Sequence, residues 1–327
     1  MKDIARDLGI SPMAVSKALR GHRDIGEETR ERVLRRAQEL NYRIDWVARS
    51  LVTGRTFLVG LVIPDLMQSF FAEIATAISA TLAPAGYHVV ISHTGEDAQE
   101  EVANIELLVS RKVDGLIIAS AQRGGRMLKK LKTPYVLIDR MLTGLAANFV
   151  GVPNEEVGRI ATEHLIEEGC RHIAHLMGPP LSTSAGRLSG YRKALVRQRR
   201  EVCEEFIVEA GHDDAAGFAA MQRLLALKRR PDGVFCFNDP VAAGAMRAIL
   251  GAGLSVPRDV ALIGVANMHY SDLMAVPLST VDQNTGQIGR QAAQRLLSCM
   301  TAKTPPLPEE TLITPRLVVR ASSHRTR

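Results

Sequence analysis

The sequence predicts a small all-α domain at the N-terminus, followed by a two-lobed α/β core built on parallel sheets. Three observations lead to this fold class. The first 50 or so residues hold three short amphipathic helical stretches and no strand-like run. From residue 56, short runs rich in Val and Ile alternate with helical stripes, which is typical of βαβ units and parallel sheets. Ten such runs divide near residue 154, so we expect two sheets and therefore two lobes.

The N-terminal stretch predicts a helix-turn-helix. The first helix should end at Gly9, and Ser11-Pro12 should begin the second, because a Ser hydroxyl caps free N–H groups and Pro fits the first helical position. A third helix should begin at the acidic pair Glu27-Glu28. The apolar stripes of the three helices are Ile4, Ala5 and Leu8, then Val15, Ala18 and Leu19, then Val33, Ala37 and Leu40. A helix, a short turn with Gly, a Ser-capped helix and a supporting helix make up this motif.

The linker after the third helix is a short amphipathic segment at residues 45–54, which is too short to form a stable helix alone. The domain boundaries expected from these patterns are 1–44 for the helix-turn-helix, 45–56 for a hinge helix or linker and 57–327 for the core. Within the core we expect an N-lobe of about 57–154 and 284–313, and a C-lobe of about 155–283 and 314–327.

The strands expected in the core are 57–64, 87–92, 115–120, 135–139, 149–152, 172–177, 205–208, 233–237, 260–265 and 279–282. The tail at 315–322 reads as a last strand that crosses back between the lobes. Helical stripes such as Phe71, Ile74, Ile78 and Leu82 separate the strands. Parallel sheets of this kind bind ligands at the carboxyl ends of their strands, so a ligand site is expected in the cleft between the lobes.

Composition and charge exclude several classes of protein. The chain of 327 residues has 41 Lys and Arg against 35 Asp and Glu, and 46% of it is hydrophobic, which is the balance of a globular protein. Residues 1–56 hold 12 Lys and Arg against 8 acidic residues, a basic excess that suits a DNA-binding unit. No apolar run reaches the length of a membrane helix, and residues 1–7 lack the apolar core of a secretory signal. We therefore expect a cytoplasmic protein without a membrane partner.

Motifs in order along the whole chain carry a resemblance to a known family. They are residues 2–5, 9–11, 15–19, 48–51, 113–117, 138–140, 162–165, 187–191, 237–239 and 256–264. With these motifs the chain resembles the lactose-repressor-type (LacI/GalR) family of bacterial transcription factors. The resemblance implies a periplasmic-binding-protein-like core and a homodimer that binds palindromic double-stranded operator DNA as a transcriptional regulator, which we expect to be a repressor. It also implies control by a small molecule in the interlobe cleft.

The resemblance places the second helix in the major groove of DNA. The implied DNA-binding residues are Ser11, Pro12, Met13, Ser16, Lys17 and Arg20, with Ala48 and Leu51 in the hinge. Lys17 could donate to guanine, and Leu51 could wedge between base pairs in the minor groove. Alternatively, Met13 packs inward, Lys17 is a solvated surface residue and Leu51 is an ordinary core residue. The family often has Pro-Asn before the hinge, whereas this chain has Ile44-Asp45.

The implied effector-binding residues are Phe70, Phe71, Ser120, Asp139, Arg187, His212, Asn238 and Gln283. An aromatic face with directional polar groups suits a sugar, a sugar acid or a related metabolite. Phe71 could equally be a simple core residue. Where sugar-responsive relatives carry an acidic pair after Gly-Tyr or Gly-Phe, this chain has Ala266-Asn267, and Pro153 stands where Asp is frequent. The loss of acids near Arg187 favours an anionic ligand such as a sugar acid, and a nucleobase-type effector is the alternative.

An enzyme is the rival class, but the sequence contains no P-loop, no Gly-x-Ser-x-Gly elbow and no His-Glu-x-x-His. His172 and His175 fall on an expected strand and should point to opposite faces, so no metal site is expected, and no cofactor is implied. A sugar-binding protein without a DNA-linked function is a second alternative, against which the helix-turn-helix argues. The tail after Arg320 has no leucine heptad, which favours a dimer over a tetramer. Whether the effector releases or strengthens DNA binding stays open.

Overall fold

The computed structural model describes residues 1–19, 24–42, 50, 53–302, 304 and 306–325. The chain divides into two compact units, Met1–Thr56 and Phe57–Arg327, and each is described here by itself. Within these described ranges, no helix combines the length and the apolar character that crossing a membrane requires.

The N-terminal unit contains three helices, α1 (Lys2–Leu8), α2 (Pro12–Leu19) and α3 (Glu27–Glu39), as the sequence predicts. Gly9 ends α1 in the left-handed conformation, with φ of +65°. The Oγ of Ser11 accepts a hydrogen bond from the backbone N–H of Ala14 at 3.1 Å, so the expected cap of α2 forms.

The core of this unit joins all three helices through the buried residues Ile4, Ala5, Val15, Ala18, Val33 and Ala37. Leu40 was expected in the same stripe, but it follows the end of α3 and its side chain is 40% exposed. An ion pair on the surface joins α3 to α1, since Arg36 donates to Asp7 through Nε at 3.0 Å and through Nη2 at 2.5 Å. Tight apolar packing and one ion pair therefore hold α1 against α3.

The N-lobe of the larger unit is built on a fully parallel six-stranded sheet. Its strands are β1 (Leu58–Ile63), β2 (His88–His93), β3 (Gly115–Ile118), β4 (Tyr135–Ile138), β5 (Asn148–Gly151) and β11 (Glu310–Leu312), in the order β11-β5-β4-β3-β1-β2. The first five lie where the sequence predicts strands. β11 was not expected, because this three-residue edge strand is polar and mostly exposed and so lacks an apolar run.

The C-lobe has a second six-stranded sheet, in the order β12-β10-β9-β8-β6-β7. Its strands are β6 (Ile173–Met177), β7 (Ile207–Glu209), β8 (Gly233–Cys236), β9 (Ala261–Val265), β10 (Ser279–Asp282) and β12 (Arg316–Val318). All pairs are parallel except β10 with β12, which is antiparallel. The tail strand therefore forms as expected, although it is shorter than the predicted 315–322.

Helices cover both sheets. They are α4 (Ser69–Leu82), α5 (Ala98–Ser110), α6 (Asn154–Glu167), α7 (Ser182–Arg197), α8 (Asp214–Leu225), α9 (Asp239–Gly251) and α10 (Thr285–Thr301). Three pairs pack closely: α4 with α10 in the N-lobe, and α6 with α7 and α8 with α9 in the C-lobe. The chain passes between the two sheets three times, after β5, β10 and β11. Each lobe is thus assembled from distant parts of the sequence.

Candidate functional site

A small cavity lies between the two lobes, and we call it the interlobe cavity. Its volume is about 30 Å³, enough for a water molecule but not for a metabolite. The lining residues are Gln68, Phe70, Phe71, Asp139, Arg140, Thr183, Arg187, His212, Phe237, Asn238, Val265, Ala266, Met268 and Gln283. Both lobes contribute, so a larger ligand requires them to separate.

The position of these side chains follows from the parallel sheets. Asp139 comes directly after β4, Asn238 follows β8, and Gln283 follows β10. Phe70 and Phe71 lie in the first turn of α4, where their rings meet edge to face with centroids 5.1 Å apart. Because strand ends and helix beginnings meet at the same edge of each sheet, residues more than 200 positions apart converge on one site.

Seven of the eight effector-binding residues expected from the sequence line this cavity. The exception is Ser120, which is fully buried and not among the lining residues in the described chain. Its Oγ donates to Oε1 of Glu101 at 2.6 Å. Burial raises the pKa of the Glu101 carboxyl, which also accepts from the N–H of Ala121 and the side-chain amide of Gln122. Ser120 therefore serves this buried carboxyl and not the cavity.

Arg187 is the most deeply placed cation of the cavity, with a side chain only 3% exposed. Its Nε donates to Oδ1 of Asn154 at 3.0 Å and its Nη1 to the carbonyl oxygen of Phe237 at 2.5 Å. The guanidinium also lies over the Phe237 ring, 4.6 Å from its centroid. Burial lowers the pKa of Arg187 to about 10, and no carboxylate of the described residues lies within ion-pair distance of it.

Asp139 is the acidic group facing Arg187, and it comes from the opposite lobe. Burial raises the pKa of its carboxyl, while the neighbouring Arg140 and Arg187 act in the opposite direction. Arg140 Nε lies 3.5 Å from Oδ2 of Asp139, but the other two nitrogens of Arg140 donate to both carboxylate oxygens of Glu96 at 2.6 Å. Glu96 thus neutralises the charge of Arg140, whereas Arg187 interacts with the Asp139 carboxyl only from beyond ion-pair distance.

Two buried polar side chains on the wall have no hydrogen-bond partner among the residues described. They are the hydroxyl of Thr183, 1% exposed, and the Nε2 amide of Gln283, 2% exposed. A buried polar group without a partner costs free energy unless something else satisfies it. Asn238 differs, because its Oδ1 accepts from the N–H of Val241 and caps α9, and its Nδ2 donates to the carbonyl of His212.

A second and larger space between the lobes adjoins the interlobe cavity, and we call it the side groove. Its volume is about 470 Å³, and it shares Arg140 with the cavity. The groove is lined by Gln122, Arg123, Arg140, Met141, Thr143, Met177, Pro180, Leu181, Ser182, Ser184, Ala185 and Leu188. The backbone N–H of Met141 donates to Oγ of Ser182 at 2.9 Å, a direct bond between the lobes. Separating the lobes would break this bond and join the two spaces.

The outer face of α2 in the N-terminal unit carries the expected DNA-reading residues. Ser11, Pro12 and Met13 are exposed, and Ser16 and Lys17 are half-buried. Met13 is 69% exposed, so its side chain does not pack inward. Lys17 Nζ donates to Oδ2 of Asp24 at 2.6 Å, in a pair that solvent reaches on both sides. Arg20, Ala48 and Leu51 lie outside the described residues, so their expected roles remain predictions.

Comparison with known proteins adds to this geometry. Residues 1–45 match the family model described as bacterial regulatory proteins, lacI family, and residues 162–323 match the periplasmic binding protein-like domain. The ribose operon repressor of Haemophilus influenzae is 33% identical over 300 residues, which are 91% of this chain and 90% of that protein. The chain belongs to the lacI family.

Other members of the lacI family agree over nearly the full length. The transcriptional repressor PurR of Actinobacillus pleuropneumoniae is 31% identical over 327 residues, covering 98% of this chain and 97% of that protein. The structure of the lac repressor dimer bound to operator and the anti-inducer ONPF superposes with a TM-score of 0.86, at 26% identity and 98% coverage of both chains. The chain is thus a transcriptional repressor of a class that acts on operator DNA under small-molecule control, and it is not an enzyme.

Sequence reasoning on this lacI-family chain missed six lining residues: Gln68, Arg140, Thr183, Phe237, Val265 and Met268. Thr183 could have been found, because it lies at the start of α7, one turn before Arg187. Ala266, noted for its missing carboxylate, does line the cavity and has φ of +124°. In the described residues no three His, Cys, Asp or Glu side chains gather as metal ligands would, and His175 is buried against Phe235 and Tyr191.

Proposed function

We propose that this repressor binds a palindromic operator as a homodimer and responds to an anionic polyhydroxylated metabolite, such as a sugar acid, in the interlobe cavity. The observation that carries the proposal is Arg187, a buried guanidinium that faces the cavity. No carboxylate among the described side chains pairs with it. A carboxylate of the ligand would supply the planar bidentate partner that a guanidinium binds best.

The charge balance of the cavity supports an anion. Arg140 and Arg187 line it together with one acid, Asp139, whose raised pKa reflects the cost of a buried negative charge. Glu96, which does not line the cavity, neutralises the charge of Arg140 through an ion pair. Ala266 occupies the position where a carboxylate would otherwise accept hydrogen bonds from a neutral sugar. With that acid absent, a ligand that brings its own negative charge makes the better complement.

The uncharged part of the ligand would meet groups suited to hydroxyls. Thr183 and Gln283 offer a hydroxyl and an amide without partners in the described chain, and each could bond a ligand hydroxyl. The rings of Phe70, Phe71 and Phe237 provide the apolar surface on which the face of a sugar ring can lie. Two alternatives follow from the relatives: a neutral sugar, suggested by the ribose operon repressor, and a nucleobase-type effector, suggested by the repressors named PurR.

The DNA-binding part of the proposal depends on the exposed side of α2. Met13 and Lys17 project from this side, and Ser11 caps the start of the helix, where backbone N–H groups face phosphate in helix-turn-helix proteins. Because a regulator of transcription acts where the chromosome lies, we expect a cytoplasmic location.

The experiment combines a ligand screen by thermal shift with operator binding by fluorescence anisotropy at fixed salt. We expect sugar acids to raise Tm and to change operator affinity in the same concentration range. Stabilisation by neutral sugars or by nucleobases, with none by sugar acids, would overturn the anionic effector and select the corresponding alternative. The sign of the change in operator affinity distinguishes an inducer from a corepressor.

The variant Arg187→Gln tests the role of Arg187 directly. We expect it to weaken binding of the anionic effector by about tenfold or more, because a charge-assisted hydrogen-bonded pair is lost. Operator affinity without effector should stay within about twofold, since the headpiece is unchanged. Effector binding at wild-type affinity in a folded Arg187→Gln protein would contradict the proposal. Arg192→Gln, an exposed position on the same helix, is the matched control.

A further inference from the structure

A separate pocket of about 250 Å³ lies in the C-lobe at the end remote from the interlobe cavity, and we call it the distal pocket. It is formed where β6 begins, by the loop between α7 and β7 and by the segment after α8. Its lining residues are Arg171, His172, Ile173, Leu195, Arg200, Glu201, Cys203, Phe206 and Arg229. It shares no residue with the interlobe cavity or the side groove.

The wall of the distal pocket is strongly cationic. Three arginines, Arg171, Arg200 and Arg229, stand there against one acid, Glu201. None of the three forms an ion pair with a carboxylate of the described residues. Arg229 instead directs Nε and Nη2 at the two ring nitrogens of His172, at 3.1 and 2.8 Å. Arg200 donates to the backbone carbonyl of Cys170, and the backbone N–H of Arg171, not its side chain, bonds Asp232.

The contact between Arg229 and His172 leaves one donor without a good partner. A neutral imidazole has only one acceptor nitrogen, and its other nitrogen carries a proton. The guanidinium presents N–H donors to both, so only one of the two can be accepted as a hydrogen bond. An anion entering the pocket would accept from the remaining donor and reduce the repulsion among the three guanidinium groups.

Several guanidinium groups elsewhere in the core are paired with carboxylates. Arg140 with Glu96, Arg159 with Glu156 and Arg247 with Asp214 are ion pairs of this kind. The same lobe has acidic residues close to the distal pocket, but their carboxylates bond to groups other than the guanidinium groups of the three arginines. Asp232 accepts from backbone N–H groups and approaches Arg325, and Glu204 pairs with Arg192. The three arginines of the distal pocket are therefore left without a carboxylate partner among the described residues.

The floor of the pocket is apolar. Ile173, Leu195 and Phe206 are buried, and the ring of Phe206 lies 6.4 Å from that of His172, tilted by 51°. A space with cations at its mouth and aliphatic and aromatic surface inside matches a ligand with an anionic head and a flat apolar body.

We propose that the distal pocket binds a small aromatic anion, an aryl phosphate or an aromatic carboxylate, as a second ligand site distinct from the effector cavity. Arg171 and Arg229 hold the anionic group, and Phe206 with Leu195 contacts the ring. The proposal does not depend on the identity of the effector.

The test is isothermal titration of the full-length protein with phenyl phosphate, benzoate, inorganic phosphate and phenol. We expect phenyl phosphate or benzoate to bind with one site per chain, and the preferred head group identifies the anion class. Phenol and inorganic phosphate should bind at least about tenfold more weakly, because each lacks one half of the recognition. Arg229→Ala and Arg171→Ala, both at exposed positions, should each reduce affinity by roughly tenfold.

Two controls separate this site from its surroundings. Arg230→Ala removes a neighbouring exposed cation that does not line the pocket, and it should leave affinity within about twofold. Arg187→Gln alters the interlobe cavity and should have no effect on phenyl phosphate. Equal losses in Arg229→Ala and Arg230→Ala would overturn the proposal in favour of general charge attraction. Loss in Arg187→Gln alone would place the probe in the effector cavity, and no binding of either aromatic anion would also refute the site.

Discussion

Lys17 and Arg187 are two cations that we expect to meet ligands, and their surroundings in the free protein differ. Lys17 pairs with Asp24 on the surface, where an ion pair contributes about 1 kcal/mol or less, so it can be exchanged for a DNA contact at small cost. Arg187 is buried and fixed by Asn154 and the carbonyl of Phe237. The flexible side chain of Lys17 therefore suits a contact with DNA. The fixed, planar guanidinium of Arg187 suits a ligand group of matching planar geometry.

Lys17→Ala should relax specificity at one base-pair position of each half-site. The expected cost is about 1–3 kcal/mol against the preferred operator and little against operators changed at that position. Asp24→Asn should slightly raise affinity for unrelated DNA, because it removes a negative charge near phosphate and releases Lys17. The measurement is anisotropy with a panel of single-base operator variants at fixed salt. A uniform loss across the panel would show that Lys17 contacts phosphate and not a base.

His175 should make stability depend on pH between about 6.5 and 4. Its ring is stacked on Phe235 with centroids 4.4 Å apart, and burial lowers its pKa from 6.5 to about 4. In this window the unfolded chain takes up a proton that the folded chain excludes, so the free energy of unfolding falls as pH decreases. His175→Phe should reduce this fall by roughly 3 kcal/mol, the equivalent of the pKa shift.

Urea unfolding at several pH values measures this difference. His269→Gln, a change at an exposed histidine, serves as the control. A slope for His175→Phe identical to that of the wild type would show that the buried imidazole does not govern acid sensitivity.

At the level of helices, glycines set the distance of approach in all three close pairs of the core. A methyl group on Gly190 of α7 would overlap the backbone carbonyl of Glu155 on α6, and one on Gly244 of α9 would overlap that of Asp214 on α8. On α10, a methyl at Gly289 would lie 2.7 Å from the carbonyl of Ile74 on α4. Backbones touch at these points, so no side chain can yield to make room.

Gly190→Ala should therefore lower the free energy of unfolding by about 1–3 kcal/mol or more, because α6 and α7 must separate. Gly251→Ala is the matched change, at the end of α9, where a methyl group meets nothing within 4 Å. There the better helix propensity of Ala should raise stability by up to about 1 kcal/mol. Chemical denaturation measures both, and a Gly190→Ala protein as stable as the wild type would contradict the close-packed arrangement. Because Arg187 lies one turn from Gly190 on α7, effector binding should weaken as well.

At the level of the whole molecule, a homodimer requires an interface between its two chains, and the strand β2 offers a candidate surface for it. This strand forms an edge of the N-lobe sheet, and Val90 and Ile91 on it are 38% and 45% exposed. Exposed apolar side chains on an unpaired edge strand are typical of an interaction surface, and without a partner they favour aggregation. A two-fold dimer would present two helix-turn-helix units to the two halves of a palindromic operator.

Ile91→Asp should convert the dimer to a monomer and reduce operator affinity by about tenfold or more, because only one half-site is bound at a time. Light scattering after size-exclusion chromatography gives the mass, and anisotropy gives the affinity. Leu107→Asp makes the same chemical change at an exposed position of α5, and we expect that variant to stay dimeric. Dimers of normal operator affinity in Ile91→Asp would exclude β2 from the interface.

Much of the fold could be predicted because it depends on local patterns. The periods of apolar residues located the three N-terminal helices, α4 and eleven of the strands, and Ser11 signalled the cap of α2. The strand β11 escaped because it is short and polar, and it is held as a strand only by pairing with β5. Leu40 was misplaced since periodicity does not show where α3 ends.

The sequence by itself determined the order of elements, because this follows from side-chain type and spacing, and the family resemblance of its motifs implied seven of the residues that line the interlobe cavity. Only the tertiary structure decided the partners of each polar group. Glu101 draws Ser120 away from the cavity, Asn238 caps a helix, and Arg187 is left without a carboxylate in the described chain. The physical reason is that a buried charge or hydrogen bond depends on groups brought close by the fold, often from the other lobe, and spacing along the chain does not encode that proximity.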